Sequence, residues 1–420
     1  MSLPSRTLGI DFGTSNSAAA YMVEGRVEVI ELSEGESTLP TTFFFDFESR
    51  ATLLGHAAVR SLLDGAEGRF MRALKRVLGT SLMHEPRQIL NERVTFVQVI
   101  GHFLRHIKTR AEARTGVRFD RALSGRPVVF HGPNDPREDQ AEADLRACYL
   151  AAGFQDVCFL AEPAAAALAT GQKRGLGLIV DIGGGTSDFS LFRSDGSEIE
   201  ILANHGVRIG GTDFDRSISI DHVMPLLGKG SQLRKEMGPG LSPVPNAIFH
   251  DLATWEMIPF LYGPKTRRQA RELLQLAKSP EKLRRLERVL DHELGHDLAF
   301  ATEAGKIAAN DQDSSAKIDL ALIEPGLAAP LVPAAMATSL ERHRSALLQG
   351  ARTILHQAQL GPNDVNQVIY VGGSSLMSFV REAMETYFPA ADHRFGAVFT
   401  AVVDGLAIAA AKADAEHGSS

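Results

Sequence analysis

Two stretches of the sequence place an aspartate beside a glycine-containing turn that joins two apolar runs. Residues 8–17 read LGIDFGTSNS, and residues 176–192 read LGLIVDIGGGTSDFSLF. The apolar runs are typical of β-strands, and glycine lets the turns bring backbone N–H groups together around an anion. The carboxylate of Asp181 would repel a bare phosphate but suits a hydrated Mg²⁺ that bridges it to phosphate oxygens. The stretches predict a magnesium–phosphate site, with an ordinary glycine-rich hairpin as the alternative for each.

The same motif therefore occurs twice in the chain. In both copies an aliphatic residue, an aspartate, a glycine and Thr-Ser follow in that order, and in the second copy Thr186 adds a hydroxyl and Asp188 a further carboxylate. The wide separation of the copies indicates two related lobes and not a solenoid of short repeats. Two such turns facing each other would bind a polyphosphate from both sides. The alternative is two unrelated hairpins that happen to have similar turns.

The composition is that of a folded globular chain. With 420 residues, 44% hydrophobic and 23% charged, the chain is long enough for two or more domains with sizeable cores. A net charge of −7 argues against a general nucleic-acid binder. The two cysteines, Cys148 and Cys158, form neither a CxxC pair nor a disulfide framework. No signal-peptide pattern and no membrane-length apolar run is found, which predicts a cytoplasmic protein.

Hydrophobic periodicity predicts both strands and helices along the chain. Pro127 inside a predicted strand indicates an edge strand or a bend, and residues 228–265 are predicted to be an irregular connection. Further predicted strands cover residues 7–11, 17–23, 27–32, 42–47, 122–130, 157–160, 198–205, 317–322 and 368–371. Predicted helices cover residues 55–63, 70–78, 95–116, 137–152, 162–171, most of 266–307, 336–357 and 398–412.

Several polar or glycine positions have both a functional and a structural interpretation. Lys75 and Arg76 could form a solvated basic helix face. Glu162, at the start of an alanine-rich helix, could simply act as a favourable charge at that helix terminus. The glycine pairs at residues 210–211 and 372–373 precede helices, which suits a phosphate or nucleotide, although a turn with an N-cap also explains the first pair.

A zinc-protease pattern, H-E-x-x-H, is matched by HELGH at residues 292–296. On one helix the two histidines would share a face, and Glu293 could act as a base. However, the next histidine is His343, so a third ligand at a familiar spacing is missing. The flanking residues predict a charged amphipathic helix, on which these side chains would be ordinary surface residues.

Taken together, the motifs resemble those of the nucleotide-binding part of the 70-kDa heat-shock chaperones, within the actin, sugar-kinase and chaperone ATPase superfamily. The resemblance extends from Leu8 to about Lys412. Within this group, the chain most resembles the short chaperone-like proteins known as YegD. IDFGTSNS and VDIGGGTSDFS are similar to the two phosphate loops, AEPAAAALATG to a connecting segment, RIGGTDFD to the loop entering the second lobe and VGGSSLMSFVRE to the adenosine segment.

The resemblance implies an α/β protein with the two-lobed actin-like ATPase fold, each lobe being a mixed β-sheet with flanking helices, and nucleotide in the cleft between the lobes. Lobe I would comprise residues 1–175, with a core of 1–41 and 121–175 and an insert of 42–120. Lobe II would comprise residues 176–391, with a core of 176–208 and 340–391 and an insert of 209–339. Residues 392–420 would form a helix returning to lobe I and a polar tail.

The resemblance also implies roles for individual residues. Asp11 and Asp181 would hold Mg²⁺ through waters, Lys75 would lie near the γ-phosphate, and Glu162 would help to position the attacking water. The catalytic residues would be Lys75, Glu162, Asp188 and Thr186. ATP or ADP would contact Gly13, Thr14, Ser15, Asn16, Gly183, Gly184, Gly185, Thr186, Gly210, Gly211, Glu303, Lys306, Ile307, Gly372, Gly373, Ser374 and Leu376.

Three of these residues depart from the family pattern. Ile307 and Leu376 stand where the family often places two arginines around adenine, and Asn16 stands where a tyrosine is common. The resemblance therefore implies a phosphate site close to that of the family and a changed adenine site.

The resemblance implies an ATP-binding, chaperone-like protein that hydrolyses ATP slowly with Mg²⁺ and couples opening and closing of the lobes to an unknown protein client or co-chaperone. Because the sequence ends after the last ATPase helix, we expect no peptide-binding domain, and we expect no nucleic-acid or membrane partner. A nucleotide-dependent switch or scaffold without hydrolysis is the main alternative. A small-molecule kinase has no specific sequence signal, and actin-like filament formation is a fourth hypothesis.

Overall fold

Two β-sheets with the same connectivity form the framework of the protein. The structure, a computed structural model, describes residues 6–132, 134–170, 173–196, 199–235, 238–395 and 400–417. Its strands are β1 (Thr7–Phe12), β2 (Asn16–Val23), β3 (Arg26–Val29), β4 (Thr38–Pro40), β5 (Thr42–Asp46), β6 (Thr52–Leu54), β7 (Gly68–Arg72), β8 (Arg87–Ile89), β9 (Glu92–Val94), β10 (Arg121–Arg126), β11 (Asp156–Ala161), β12 (Gly175–Ile182), β13 (Ser187–Ser194), β14 (Ile199–Val207), β15 (Gln232–Arg234), β16 (Leu241–Pro243), β17 (Lys317–Asp319), β18 (Ala328–Pro330), β19 (Gln367–Val371) and β20 (Asp392–Arg394). Its α-helices are α1 (His56–Leu63), α2 (Phe96–Thr115), α3 (Arg137–Ala151), α4 (Glu162–Thr170), α5 (Gly211–Ile218), α6 (Ala247–Leu252), α7 (Pro264–Leu276), α8 (Pro280–Asp291), α9 (Gly295–Asn310), α10 (Pro333–Gln357), α11 (Ser378–Tyr387) and α12 (Ala401–His417).

In the chain order of each sheet, three antiparallel strands come first, and two further strands are then added in parallel beside the first of them. The first sheet has the order β11-β10-β1-β2-β3, with β4 also paired to β2, and the second has the order β14-β13-β12-β19-β20. β1 pairs in parallel with β10 and antiparallel with β2, and β12 pairs in the same way with β19 and β13. The repeated aspartate–glycine motif thus occupies the equivalent hairpin of each sheet, and the predicted α/β fold class is confirmed.

Helices α4 and α12 pack against each other and share a hydrophobic core with residues of both sheets. Ala165 of α4 and Leu406 of α12 belong to one core with Ile179 of β12, and Leu123 of β10 packs against that core. A Cβ atom at Gly405 would overlap the backbone of Ala165. Both helices are rich in small residues because only small side chains let their backbones approach this closely at the density of a protein interior.

The chain divides into two compact units. The first contains residues 1–211 and 345–420, and the second contains residues 212–344. Both large sheets lie in the first unit, whereas helices α6–α9 and the strand pairs β15–β16 and β17–β18 lie in the second. This division differs from the lobe boundaries predicted from the sequence, which stay a prediction.

The segment that carries Lys75 does not form the predicted helix over residues 70–78. Gly68–Arg72 is strand β7, which pairs with β5, and Leu74–Val77 is a single 3₁₀ turn. Ala73, between them, has a φ of 63°, which an α-helix cannot accommodate. The apolar residues at helical spacing belong instead to a buried strand and a turn, so this prediction is wrong.

Two further predictions are wrong in part. β10 ends at Arg126, directly before Pro127, and it lies between β1 and β11, so it is an inner strand and not an edge strand. The strand ends there because proline cannot donate a ladder hydrogen bond. Residues 228–265, predicted to be irregular, contain β15, β16 and α6.

The H-E-x-x-H segment does not lie on one helix. α8 ends at Asp291, α9 begins at Gly295, and Glu293 between them has a φ of 56°. The predicted continuous amphipathic helix is therefore wrong at this point, and His292 and His296 do not share the helix face that a zinc-protease site requires. His296 is buried, not a surface residue.

The other predicted strands and helices are present, with ends that shift by a few residues. Three predicted boundaries lie outside the described residues. They are the end of a helix at Gly171, the start of a strand at Glu198 and the start of the last helix at residues 398–399. Across the described ranges, none of the helices combines the length and the apolar character needed to cross a bilayer.

Candidate functional site

The two glycine-containing turns lie against each other within the first unit. One turn joins β1 to β2 and holds Thr14 and Ser15, and the other joins β12 to β13 and holds Gly184 and Gly185. A Cβ atom at Gly184 would collide with the Ser15 hydroxyl, and one at Gly185 would lie 2.9 Å from Thr14 Oγ1. The turns can approach this closely because these glycines have no side chains. The structure therefore brings the two predicted phosphate loops together.

The first turn is itself tight and is held from outside. A Cβ atom at Gly13 would collide with the carbonyl oxygen of Asn16, the first residue of β2. The Thr41 N–H donates to the Ser15 carbonyl at 2.8 Å, and the hydroxyls of Ser17 and Thr41 are 2.8 Å apart. These bonds tie the first turn to the residue that joins β4 to β5.

A third loop, residues 208–211, is hydrogen-bonded to the second turn. The Gly211 N–H donates to the Gly183 carbonyl at 2.9 Å, and the Ser187 hydroxyl donates to the Ile209 carbonyl at 2.7 Å. A Cβ atom at Gly210 would lie 2.5 Å from backbone atoms of the second turn. The predicted contact residues Gly210 and Gly211 are thus attached to the second phosphate loop.

The glycine pair after β19 lies beside Asp181. Gly372 has a φ of 77°, and a Cβ atom there would lie 2.7 Å from Asp181 Oδ1. Gly373–Leu376 is a 3₁₀ turn, and the Ser374 hydroxyl contacts the position that a Cβ atom of Gly211 would take. This predicted part of the nucleotide site therefore lies next to the second turn and the third loop.

Four carboxylates interact beside these turns. Asp11 lies near the end of β1, Asp181 near the end of β12, Asp188 opposite Asp181 on β13, and Glu162 at the start of α4. Burial, followed by repulsion from Glu162, raises the pKa of Asp11 to about 7 and the pKa of Asp188 to about 8. The same two causes raise the pKa of Asp181 well above its ordinary value. Desolvation disfavours the charged form, so the cluster retains protons near neutral pH.

Lys75 supplies a positive charge to this cluster. Its Nζ atom lies 2.6 Å from Glu162 Oε1, and the two side chains are only 8% and 12% exposed. Burial lowers the pKa of Lys75, but attraction to Glu162 and Asp11 outweighs burial, and the pKa is raised overall. Lys75 is therefore a buried, charged partner of Glu162 and not part of a solvated basic helix face.

The side chains at this place fit a hydrated divalent cation. The carboxylates outnumber Lys75, and burial, followed by repulsion from Glu162, raises the pKa values of Asp11, Asp181 and Asp188, so a bound cation would stabilise their charged forms. In the described part of the chain, no group of three or more His, Cys, Asp or Glu side chains is arranged to hold a metal ion by itself. Water and phosphate oxygens would supply the remaining ligands of an ion held by Asp11 and Asp181.

Some residues that organise the cluster were not predicted from the sequence. The Val128 N–H donates to Asp188 Oδ1 at 2.8 Å, and Thr186 also hydrogen-bonds to the Asp188 side chain. Arg208 Nη2 donates to the Arg76 carbonyl at 3.2 Å. No residue-type pattern could have revealed Val128 or the Arg76 carbonyl, because each contributes its backbone and not its side chain.

The predicted adenosine residues are divided between the two units. Glu303, Lys306 and Ile307 lie on α9 in the second unit, where Lys306 Nζ is 2.7 Å from Asp215 Oδ1. Ile307 is 54% exposed, and Leu376, in the first unit, is 45% exposed. The structure thus places the phosphate-loop residues together, whereas the adenosine contacts of these four residues stay a prediction.

The duplicated sheets, with a glycine turn at the equivalent hairpin of each, define an α/β protein of the actin-like ATPase fold class. A family model described as Hsp70 protein matches residues 7–236, more than half of the chain. The chain therefore belongs to the Hsp70 family. Membership of this family supports a nucleotide-binding, chaperone-like ATPase domain.

Several chaperone proteins are similar to this chain over much of its length. The chaperone protein DnaK of Thermotoga petrophila is 26% identical over 411 residues, which cover 96% of this chain and 59% of the relative. DnaK of Thermotoga maritima matches to the same extent. DnaK of Thermoplasma acidophilum is 34% identical over 243 residues, 55% of this chain and 38% of the relative. The chain thus spans 59% of the length of the two Thermotoga relatives.

Proposed function

We propose that this protein binds ATP and ADP with Mg²⁺ and hydrolyses ATP slowly. The observation that best supports the proposal is the buried Lys75–Glu162 ion pair beside two glycine turns in contact, with the carboxylates of Asp11 and Asp181 alongside. Such a site can bind a polyphosphate, neutralise its charge and orient a water molecule, which are the main requirements of phosphoryl transfer. Membership of the Hsp70 family points to the same chemistry.

In the proposed complex, the backbone N–H groups of the turns at residues 13–16 and 183–186 bind the phosphates. Asp11 and Asp181 hold a hydrated Mg²⁺, which neutralises phosphate charge when bound. Burial raises the pKa values of both carboxylates, and they would hold the ion in their deprotonated form. Lys75 donates to the γ-phosphate and stabilises the charge that this group carries during transfer.

Glu162 and Asp188 orient the attacking water in this proposal. The bond from Lys75 holds Glu162 Oε1, and the bond from the Val128 N–H holds Asp188 Oδ1, so both carboxylates are oriented before a nucleotide binds. Side chains held in this way can hydrogen-bond to a water molecule and orient it for attack. Because the site supplies positioning and charge but no covalent chemistry, we expect hydrolysis to depend on these bonds more strongly than binding does.

The test is a calorimetric titration of ATP, ADP and GTP in the presence of Mg²⁺, with phosphate release followed on the same samples. We expect micromolar binding of adenine nucleotides and slow phosphate release by the wild type. Asp181→Ala should lose binding at least tenfold, because the ion loses a carboxylate. Lys75→Met should keep binding but lose about 100-fold in phosphate release. If no nucleotide binds to the wild type, the proposal is wrong.

A nucleotide-dependent switch or scaffold without hydrolysis is the second candidate. Its support is the pair Ile307 and Leu376, which stand at the positions where the family often has arginines and are both substantially exposed. A changed adenine site would alter affinity and exchange without affecting the phosphate loops. In the same titration, binding of nucleotide without any phosphate release by the wild type would favour this candidate.

The finer parts of the proposal rest on the family resemblance. We propose that nucleotide binding closes the two predicted lobes and that this motion is read by a protein client or co-chaperone. We also propose that the protein is cytoplasmic and that it is similar in type to the YegD proteins. Co-purification of a protein that is released by ATP, compared between wild type and Asp181→Ala, would identify such a partner.

A further inference from the structure

The segment that carries Lys75 has little regular structure of its own. It consists of the 3₁₀ turn Leu74–Val77 between two residues with positive φ, Ala73 at 63° and Gly79 at 78°. Its internal backbone bonds are few: the Arg76 N–H donates to the Ala73 carbonyl at 3.0 Å, and the Leu78 N–H donates to the Lys75 carbonyl at 3.4 Å. The position of Lys75 therefore depends on contacts that the segment makes with neighbouring elements.

A buried carboxylate on α3 holds the end of this segment. Asp144 is 1% exposed, and its Oδ2 accepts the Gly79 N–H at 2.8 Å. Its Oδ1 lies 2.8 Å from His84 Nε2 and accepts Gln140 Nε2 at 2.7 Å. Both oxygens are thus used, one by the Lys75 segment and the other by the chain that follows it and by α3 itself.

The contact between Gly79 and α3 is also closely packed. A Cβ atom at Gly79 would lie 2.5 Å from the Arg137 carbonyl and 3.1 Å from the Ala141 side chain, both on α3. With its positive φ, Gly79 can present its N–H to Asp144 where a larger residue would be strained and would collide. A hydrogen bond and close packing therefore fix the end of the segment against α3.

We infer that Asp144 is a positioning residue for ATP hydrolysis, which acts by holding the segment that places Lys75 against Glu162. The inference rests on the proposed function. The hydrogen bonds of Asp144 go to Gly79, His84 and Gln140, so its effect on Lys75 is transmitted through the four residues that lead from Lys75 to Gly79. Because a displacement of about 1 Å can cost about 100-fold in rate, a loosened segment is expected to slow hydrolysis.

The test compares Asp144→Ala and Asp144→Asn with Asp139→Asn, a matched control that removes the same charge from an exposed position on α3. Asp144→Ala should lower the rate constant for phosphate release about 10- to 100-fold and change the dissociation constant for Mg-ATP less than about threefold. Asp144→Asn keeps one acceptor for the Gly79 N–H and should recover part of the loss. The control should behave as the wild type.

A double-mutant cycle separates positioning from a general loss of stability. If Asp144 acts through Lys75, adding Asp144→Ala to Lys75→Met should lower phosphate release no further. An equal loss in both backgrounds, or a loss of Mg-ATP binding that parallels the loss of hydrolysis, would contradict the inference.

Hydrogen exchange gives a result that does not depend on hydrolysis. Amides of residues 74–80 should exchange faster in Asp144→Ala than in Asp139→Asn, while those of β12 and β13 should not change. If the wild type binds Mg-ATP without releasing phosphate, the proposed hydrolysis fails and Asp144 has no reaction to position. If hydrolysis is present but exchange of residues 74–80 is unchanged, the inference about Asp144 alone is wrong.

Discussion

At the scale of single residues, the candidate site combines several buried carboxylates with a buried lysine. Glu162 pairs with Lys75, whereas Asp11 and Asp188 have pKa values of about 7 and about 8 because they are buried and lie in the field of Glu162. The protein is therefore expected to bind protons at this cluster when it has no divalent cation. Protons and Mg²⁺ should compete for the same charge.

The first residue-scale prediction concerns the stability of the metal-free protein and its dependence on pH. The pKa of Asp188 is raised from its ordinary value of 3.8 to about 8, so between these values the folded protein binds more protons than the unfolded chain. Stability should consequently fall as the pH rises through this window, by at most about 1.4 kcal/mol per pH unit for this group. Above about pH 8 its contribution should become constant.

Asp188→Asn removes this titration and should flatten the dependence of stability on pH. The measurement is urea denaturation without Mg²⁺ at about pH 5.5 and about pH 7.5, where the wild type should lose more stability than the variant. Asp139→Asn, on the exposed side of α3, is the control and should keep the slope of the wild type. Equal slopes for wild type and Asp188→Asn would mean that Asp188 is charged throughout this range.

At the scale of elements, three loops form one assembly around the second turn. The turns at residues 13–16 and 183–186 touch, and the loop at residues 208–211 is bonded to the second turn through Gly211 and Ser187. The glycines allow this assembly because a Cβ atom at Gly184, Gly185 or Gly210 would collide with atoms of a neighbouring loop. The predicted phosphate contacts therefore depend on each other's positions.

The element-scale prediction is that Gly210→Ala disturbs this assembly. Its Cβ atom would lie 2.5 Å from backbone atoms of Gly184 and Gly185, which cannot move aside as a flexible side chain would. We expect a loss of about 1–3 kcal/mol in the free energy of unfolding and at least tenfold weaker Mg-ATP binding.

The control for this substitution is Gly263→Ala, since no atom lies within 4 Å of the new methyl group and φ is −73°. Thermal and urea unfolding, followed by calorimetry with Mg-ATP, would measure both effects. Unchanged unfolding and binding in Gly210→Ala would show that the second turn and the third loop can separate without consequence.

At the scale of the whole molecule, the chain has two compact units, and the residues that the family resemblance implies for nucleotide binding are divided between them. The phosphate-loop residues lie in the first unit, whereas Glu303, Lys306 and Ile307 belong to the second. A nucleotide that used all of these residues would be sensitive to the arrangement of the whole chain. Ligand-driven closure is a common consequence of such a site.

The whole-molecule prediction is that Mg-ATP makes the protein more compact. Small-angle scattering of the wild type should show a smaller radius of gyration with Mg-ATP than without nucleotide, because binding energy favours the closed arrangement of the predicted lobes. Asp181→Ala, which should bind Mg-ATP at least tenfold more weakly, is the control and should show little change at a Mg-ATP concentration that saturates only the wild type. Superimposable curves for the wild type at saturating Mg-ATP would contradict the proposed opening and closing.

Local sequence signals determined the elements that frame the site. Both aspartate–glycine motifs form hairpins between two strands, because glycine permits the turn and the flanking apolar residues favour strands. Helix α2 begins after Thr95, whose side chain forms a capping box with Gln98, and ends at Gly116 with a φ of 69°. These features depend on neighbours in the chain, so residue order was enough to predict them.

Only the tertiary structure decided how these elements form a site. Lys75 and Glu162 are 87 positions apart in the chain, and the predicted helix around Lys75 is a strand and a 3₁₀ turn held by Asp144. The raised pKa values of Asp11, Asp181 and Asp188 arise from burial, which depends on the packing of both sheets. Residue order predicted which groups could bind phosphate and metal, whereas their charge states and contacts follow from desolvation and long-range packing, which local patterns do not encode.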